Sequence, residues 1–324
     1  MKQIQFLAAV LLIALFASVA NAADPFADAS AAVESAAHAA TDAAHEAHDD
    51  HGEHAEASHG LPRHAPVLVD MGFFKINSSM VVVWLVGLVV IVGCQMATRN
   101  VEMVPSGLQN LVEMLVEGLV GFFSDILGEK LAKKTFWYFG TIFLFIIALN
   151  WAGLVPGIGT IGFGHADAHG HFHVTEPLFR GANADLNMTA AMAMVFAVMW
   201  VVWSIQSIGA GGMANHIFAV KGHGSGFMGM FLVLVFIFIG LIEIISIAVR
   251  PVALMFRLYG NVFAGENMLE TIMHLGGPIL GGILVLPFYG LELLVGLVQA
   301  LVFALLASVF TSLMCEHHDE EHAH

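Results

Sequence analysis

Charge is what this sequence is shortest of. Asp, Glu, Lys and Arg make up 11% of its residues, where a soluble domain carries about 25%. Hydrophobic residues reach 58% and the mean hydropathy is +0.81. That balance excludes an ordinary water-soluble domain and places the chain in lipid. Positive charge is the scarcer sign: 11 Lys and Arg face 26 Asp and Glu, for a net charge of −15. A nucleic-acid partner is therefore not expected, since the phosphate backbone needs the opposite sign. The 2 cysteines, Cys94 and Cys315, each sit near the end of an apolar segment. They fit no metal-ligand spacing and read as small apolar fillers.

The charge that does occur is unevenly placed, with much of the acid at the two ends. Residues 1–22 have the form of a secretory signal: Lys2 at the start, an apolar core from Phe6 to Ala17, and Ala20-Asn21-Ala22 before the cut. An uncleaved anchor is the alternative. Export puts the mature N-terminus outside the cytoplasm. Residues 23–74 form a His/Asp/Glu-rich extracytoplasmic extension. Up to about residue 66 it has almost no large apolar side chains and is expected to be disordered. Its histidines (His38, His45, His48, His51, His54, His59, His64) suit a solvated, buffering tail better than a metal site, which would need a fixed scaffold.

Residues 75–315 read as the membrane domain. The first span is expected over about Asn77–Ala97, long enough to cross about 30 Å of hydrocarbon. Pro105 to Glu129 is apolar but carries a narrow polar stripe (Asn110, Glu113, Glu117, Gly121, Ser124). This predicts a helix lying in the cytoplasmic interface, a further span being the alternative. Lys130, Lys133 and Lys134 lead into the second span, Phe136–Val155. With Arg99 they make this the most basic connection, which the positive-inside rule assigns to the cytoplasm. Gly157 to Asn183 is expected as a solvated external loop carrying His165, His169, His171 and His173. A third span follows over Asn187–Ile208, then a Gly-rich cytoplasmic loop, Gly209–Gly226, with Lys221. Residues 227–275 are one apolar stretch that as a single helix is about 70 Å long. It must break at Pro251 or lie strongly tilted. After Gly276-Gly277-Pro278 a final helix runs over about Ile279–Met314, pairing with the previous one as a hairpin. Residues 316–324 form an acidic cytoplasmic tail. The fold expected is an all-α membrane protein of about five embedded helices plus one interfacial amphipathic helix.

The apolar run from Phe227 leads into Arg250 and Arg257. A charge at the bilayer centre costs about 2.5–3.5 kcal/mol on insertion scales, so such residues are functional suspects. Arginine stays charged where a lysine can lose its proton. At about 100° per residue, Glu243, Arg250 and Arg257 fall on one stripe, with Asn261 beside it and Glu266 on roughly the opposite face. Arg250 can pair with Glu243 in its own helix. Arg257 has no carboxylate three or four residues away and needs a partner from elsewhere.

Arg250-Pro251-Val252, Arg257-Leu258-Tyr259-Gly260-Asn261 and Ala264-Gly265-Glu266 resemble the signature of subunit a of the F-type ATP synthase. Val104 to Glu113, Ala184-Asp185-Leu186-Asn187-Met188-Thr189, and Glu292 with Gln299 agree with it. The resemblance covers about residues 75–324. It implies a stator proton channel in the bacterial inner membrane. Two offset half-channels would protonate and deprotonate the carboxylates of a rotating ring of c subunits. Other partners implied are the peripheral-stalk b subunits and, through them, the soluble ATPase head. Arg257 would be the essential cation facing the ring. Asp185, Asn261, Glu266, Glu292 and Gln299 would form the outer proton path and Glu243 the inner one, with Arg250 supporting. No metal or cofactor is implied, and the chain would not itself be catalytic. Some family members carry a histidine at one of the two positions where this chain has Glu266 and Glu292.

Plainer roles stand beside these. Asp185 can cap a helix, Glu292 can be a lone structural carboxylate, and Gln299 can bond between helices. The rival function is an ion-coupled secondary transporter. Such proteins often show two related halves, and no internal repeat is visible here.

Overall fold

The computed structural model describes residues 67–70, 75–99, 101–158, 161–166, 172–218 and 227–315. The signal, the extension up to residue 66, Lys221 and the C-terminal tail lie outside them, as do His169 and His171. Two short strands, β1 (Val67–Asp70) and β2 (Lys75–Asn77), pair antiparallel ahead of helix α1 (Ser78–Ala97). Helix α2 covers Gly107–Gly153. A second antiparallel pair follows, β3 (Gly162–Ala166) with β4 (Phe172–Pro177), then a 3-10 turn at Ala182–Ala184. Helices α3 (Leu186–Phe218), α4 (Phe227–Gly276) and α5 (Gly282–Cys315) complete the chain, the last two joined by a π-type turn at Gly277–Gly281. Five helices among the described residues are long and apolar enough to cross a membrane. The chain is a multi-pass, all-α membrane protein.

Two glycines set where long helices bend. Gly128 (φ 72°, ψ 154°) separates the amphipathic part of α2 from its apolar span, where the sequence places that boundary. Gly209 (φ 74°, ψ 162°) does the same in α3. A positive φ is cheap only for glycine, so at these positions the chain turns sharply between two helical segments that follow one another directly. The loop expected from Gly209 is therefore not there at first: after the kink the chain stays helical to Phe218. At Pro251 the opposite holds. α4 runs on through the proline without a break, which removes the two-span alternative. At 1.5 Å per residue its 50 residues extend about 75 Å, more than twice a hydrocarbon core.

The external loop also differs from expectation. It folds as the β3–β4 hairpin, with His165 and His173 as register partners. Its last part turns inward, so that Arg180 to Ala184 are all buried. The expectation of a solvated loop rested on its His and Gly content and missed this docking.

The core joins all five helices. Tyr138 and Phe139 of α2 meet Trp203 of α3, with centroids 5.4 Å and 5.5 Å apart, and Phe123 packs on Phe139 at 5.6 Å. Such pairs add to their area burial. Ala300, Ala304 and Ala307 give α5 a buried small-residue face, with Phe303 packed beside it. The closest packing is of α2 on α5 and of α3 on α4, so the final hairpin is held by its neighbours as much as by itself. Gly296 makes the α2–α5 approach possible: its carbonyl accepts from Asn150 Nδ2 at 2.9 Å, and a Cβ there would lie 3.1 Å from Asn150 Cβ. α4 is the outlier. Only 6% of its most apolar window is buried, against 61% for α3.

Gly296→Leu would force these helices apart at a cost of about 1–3 kcal/mol. A clearly lowered thermal midpoint of the purified protein is expected for Leu and a much smaller change for Ala. An unchanged midpoint for Leu would show that the close approach is not needed.

Candidate functional site

Helix α4 carries two different faces along residues 254–269. Leu254, Leu258, Val262, Gly265 and Leu269 recur at helical spacing and are buried against the rest of the chain. One step round the helix, Ala253, Arg257, Gly260, Asn261 and Ala264 are exposed. Arg257 has no hydrogen bond and no ion pair with any described residue. Its companions on that face are small or uncharged. Small residues are what allow another helix to come close.

Arg250 is handled differently. Its Nη2 lies 3.7 Å from Glu243 Oε1, and its guanidinium sits 5.2 Å over the Phe310 ring. The internal pair offered by the spacing is formed. Among the described residues Glu243 and Arg250 thus neutralise each other, while Arg257, one stripe position further on, stays unpaired.

Glu266 points to the other side of α4, as the helical arithmetic predicts. Its carboxylate lies against the backbone of Gly181: any side chain at Gly181 would run into Oε1, and a Cβ at Gly153 would lie 3.2 Å from it. Glu292, on α5, is 6% exposed. Its carboxylate rests on Gly265, where a side chain would displace it. The charges of Glu292, Glu270 and Arg180 all act on Glu266. Between α4 and α5 a cleft of ≈ 440 Å³ is lined by Asn261, Gly265, Glu292 and Gln299 with apolar neighbours. About 15 Å³ suffices for one water, so this is a hydratable space. The structure therefore brings Asn261, Glu292 and Gln299 to one cleft and sets Glu266 behind it.

Asp185 stands apart from that cleft. Oδ1 accepts from Asn187 N at 3.0 Å and Oδ2 from the Ser79 hydroxyl at 2.7 Å. This is the capping geometry of a residue just before a helix, with a second bond tying α1 to α3. Ser79 is one of several polar residues that the sequence reading passed over. Asn183 Nδ2 donates to Asn150 Oδ1 at 2.6 Å, and Asn150 in turn donates to Gly296 O. Trp151 Nε1 donates to Leu293 O at 3.2 Å. Asn150 had a usable signal, an amide inside an apolar run. Ser79 and Asn183 had none, because their roles depend on partners more than 30 positions away.

Residues 80–312 match the family model described as ATP synthase A chain. The ATP synthase subunit a of Solidesulfovibrio magneticus is 32% identical over 272 residues, covering 80% of this chain and 98% of the relative. That of Desulfotalea psychrophila is 30% identical over 270 residues, covering 82% and 94%. That of Moorella thermoacetica is 28% identical over 243 residues, covering 75% and 93%.

Removing the Ser79 hydroxyl leaves a buried carboxylate short of one donor, at a cost of about 1–3 kcal/mol. Ser79→Ala is expected to lower the thermal midpoint, and Asp185→Ala to lower it further because the helix cap is lost as well. Equal, wild-type midpoints for both would remove Asp185 from the structural account.

Proposed function

The chain belongs to the ATP synthase A chain family, and from that membership we propose that it is the stator part of a rotary proton channel in which Arg257 faces carboxylates carried past it by a ring of c subunits. The observation that carries this reading is the exposed guanidinium of Arg257, unpaired among the described residues, on a helix face of small residues. A carboxylate on a ring helix must be neutral while it faces lipid, because a buried charge there is expensive. Opposite Arg257 the ionised form is stabilised by the opposite charge. The proton then leaves, and the ring carboxylate can take up another only after moving on.

Two half-channels serve that point. The outer one runs past Asp185 and Glu266 to the cleft of Glu292, Asn261 and Gln299, and Glu266 and Glu292 pass the proton between them. The inner one opens near Glu243 and Arg250. The two must not join, since each proton crossing is worth about 2.3 kcal/mol per 100 mV of membrane potential. Arg257 stands between them and repels hydrated protons from both sides. The subunit makes no ATP; that chemistry belongs to the soluble head, reached through the peripheral stalk of b subunits. The proposed setting is the bacterial inner membrane, with the start of α3 and the end of α4 on the outer side and the C-terminus in the cytoplasm.

Arg257→Ala is expected to abolish ATP-driven proton pumping in inverted vesicles while the complex still assembles. Pumping at the wild-type rate would end this reading. Glu266→Gln combined with Glu292→Gln is expected to slow proton flux at least about tenfold, in line with the loss of positioned proton-transfer groups. Unchanged flux would take both out of the path.

A further inference from the structure

Arg180 is a buried cation for which the proposed mechanism has no use. It follows the β3–β4 hairpin and enters the 3-10 turn before α3, and it is 3% exposed. Its Nε, Nη1 and Nη2 are all buried, and none has a hydrogen-bond partner among the described residues. An arginine cannot escape this by losing its proton, and a buried charge left without a partner is strongly destabilising. Five donors in a rigid fork call for a carboxylate or a similar planar anion.

The nearest suitable group is already in place. The Glu266 carboxylate lies against Gly181, the residue next to Arg180, and the Arg180 charge reaches it. Among the described residues, Glu270, Glu292 and Tyr289 are the other ionisable groups that interact with Glu266 electrostatically. None of them is cationic. Gly181 and Gly153 turn only backbone towards the Glu266 carboxylate, so no side chain at either position stands between it and the turn that carries Arg180.

We infer that Arg180 is a positioning residue that captures the Glu266 carboxylate whenever it is ionised and releases it whenever it is protonated. Glu266 is then an arm whose position follows its proton. Ionised, it is drawn to Arg180 on the outer side of α4. Protonated, it is neutral, loses that attraction and turns towards the cleft that holds Glu292. There the proton passes on, and the carboxylate left behind returns to Arg180, which neither gives nor takes a proton. The pair makes the outer path one group deep at this point and resets it after each proton.

This rests on the proton-channel reading, and the test separates the two. ATP-driven pumping by the intact complex is compared for wild type, R180Q, R180K, E266Q and R180Q/E266Q. R180Q is expected to lower pumping about tenfold, R180K less, and R180Q added to E266Q less than about twofold, because two residues acting through one contact are not additive. The same loss from R180Q in both backgrounds, or no loss from R180Q alone, overturns the inference. If R180Q alone does not assemble, R180Q/E266Q is expected to restore assembly, and failure to do so overturns it. If E266Q alone stops pumping, the same cycle is read on the thermal midpoint of the complex, where equal drops in both backgrounds overturn it. Pumping by R257A at the wild-type rate would instead sink the proton-channel reading itself, whereas a silent R257A beside an unaffected R180Q removes only the role of Arg180.

Discussion

A guanidinium at membrane depth cannot be made harmless by deprotonation, so a fold that contains one must give it water, a counter-charge or a partner protein. Helix α4 meets that constraint by dividing its circumference. Leu254, Leu258, Val262 and Leu269 hold it to the rest of the chain, and the face with Arg257 is left outward. A helix packed on all sides would have nowhere to put the cation except against its own chain, and the charge would then be spent on structure.

The three arginines near the functional elements illustrate three solutions to one problem. Arg250 is settled within its own helix and by Phe310. Arg257 is kept open at the surface. Arg180 is buried with its donors unused. The same residue type ends in three environments because of what stands seven residues away, or across a turn, or nowhere among the described residues. Residue type alone therefore does not say what an intramembrane arginine does.

That distinction also marks how far the sequence could be read. The seven-residue recurrence of Glu243, Arg250 and Arg257 and the opposed placement of Glu266 follow from helix geometry, and both hold. The boundary near Gly128 was legible because polarity changes there. Gly209 was read as the start of a loop because glycine usually marks one; here it only turns a helix that continues to Phe218. The burial of Arg180 to Ala184 was invisible for a different reason. It depends on Asn183 reaching Asn150 and on Glu266 filling the space at Gly181. Contacts between distant segments leave no local period to detect.

One consequence of the divided helix bears on the proton path. Glu266 and Arg257 lie on opposite sides of α4, and the backbone of a helix offers no passage through its own axis. On the proposed reading, a proton held at Glu266 must therefore go round. On that reading the way round is the cleft between α4 and α5, where Glu292 rests on Gly265. With any larger residue at 265 the Glu292 carboxylate would have to move away from the α4 backbone. On the proposed reading, Gly265 therefore matters as much as the acids on either side of it, because it lets a group on α5 take over a proton that α4 has carried to its far face.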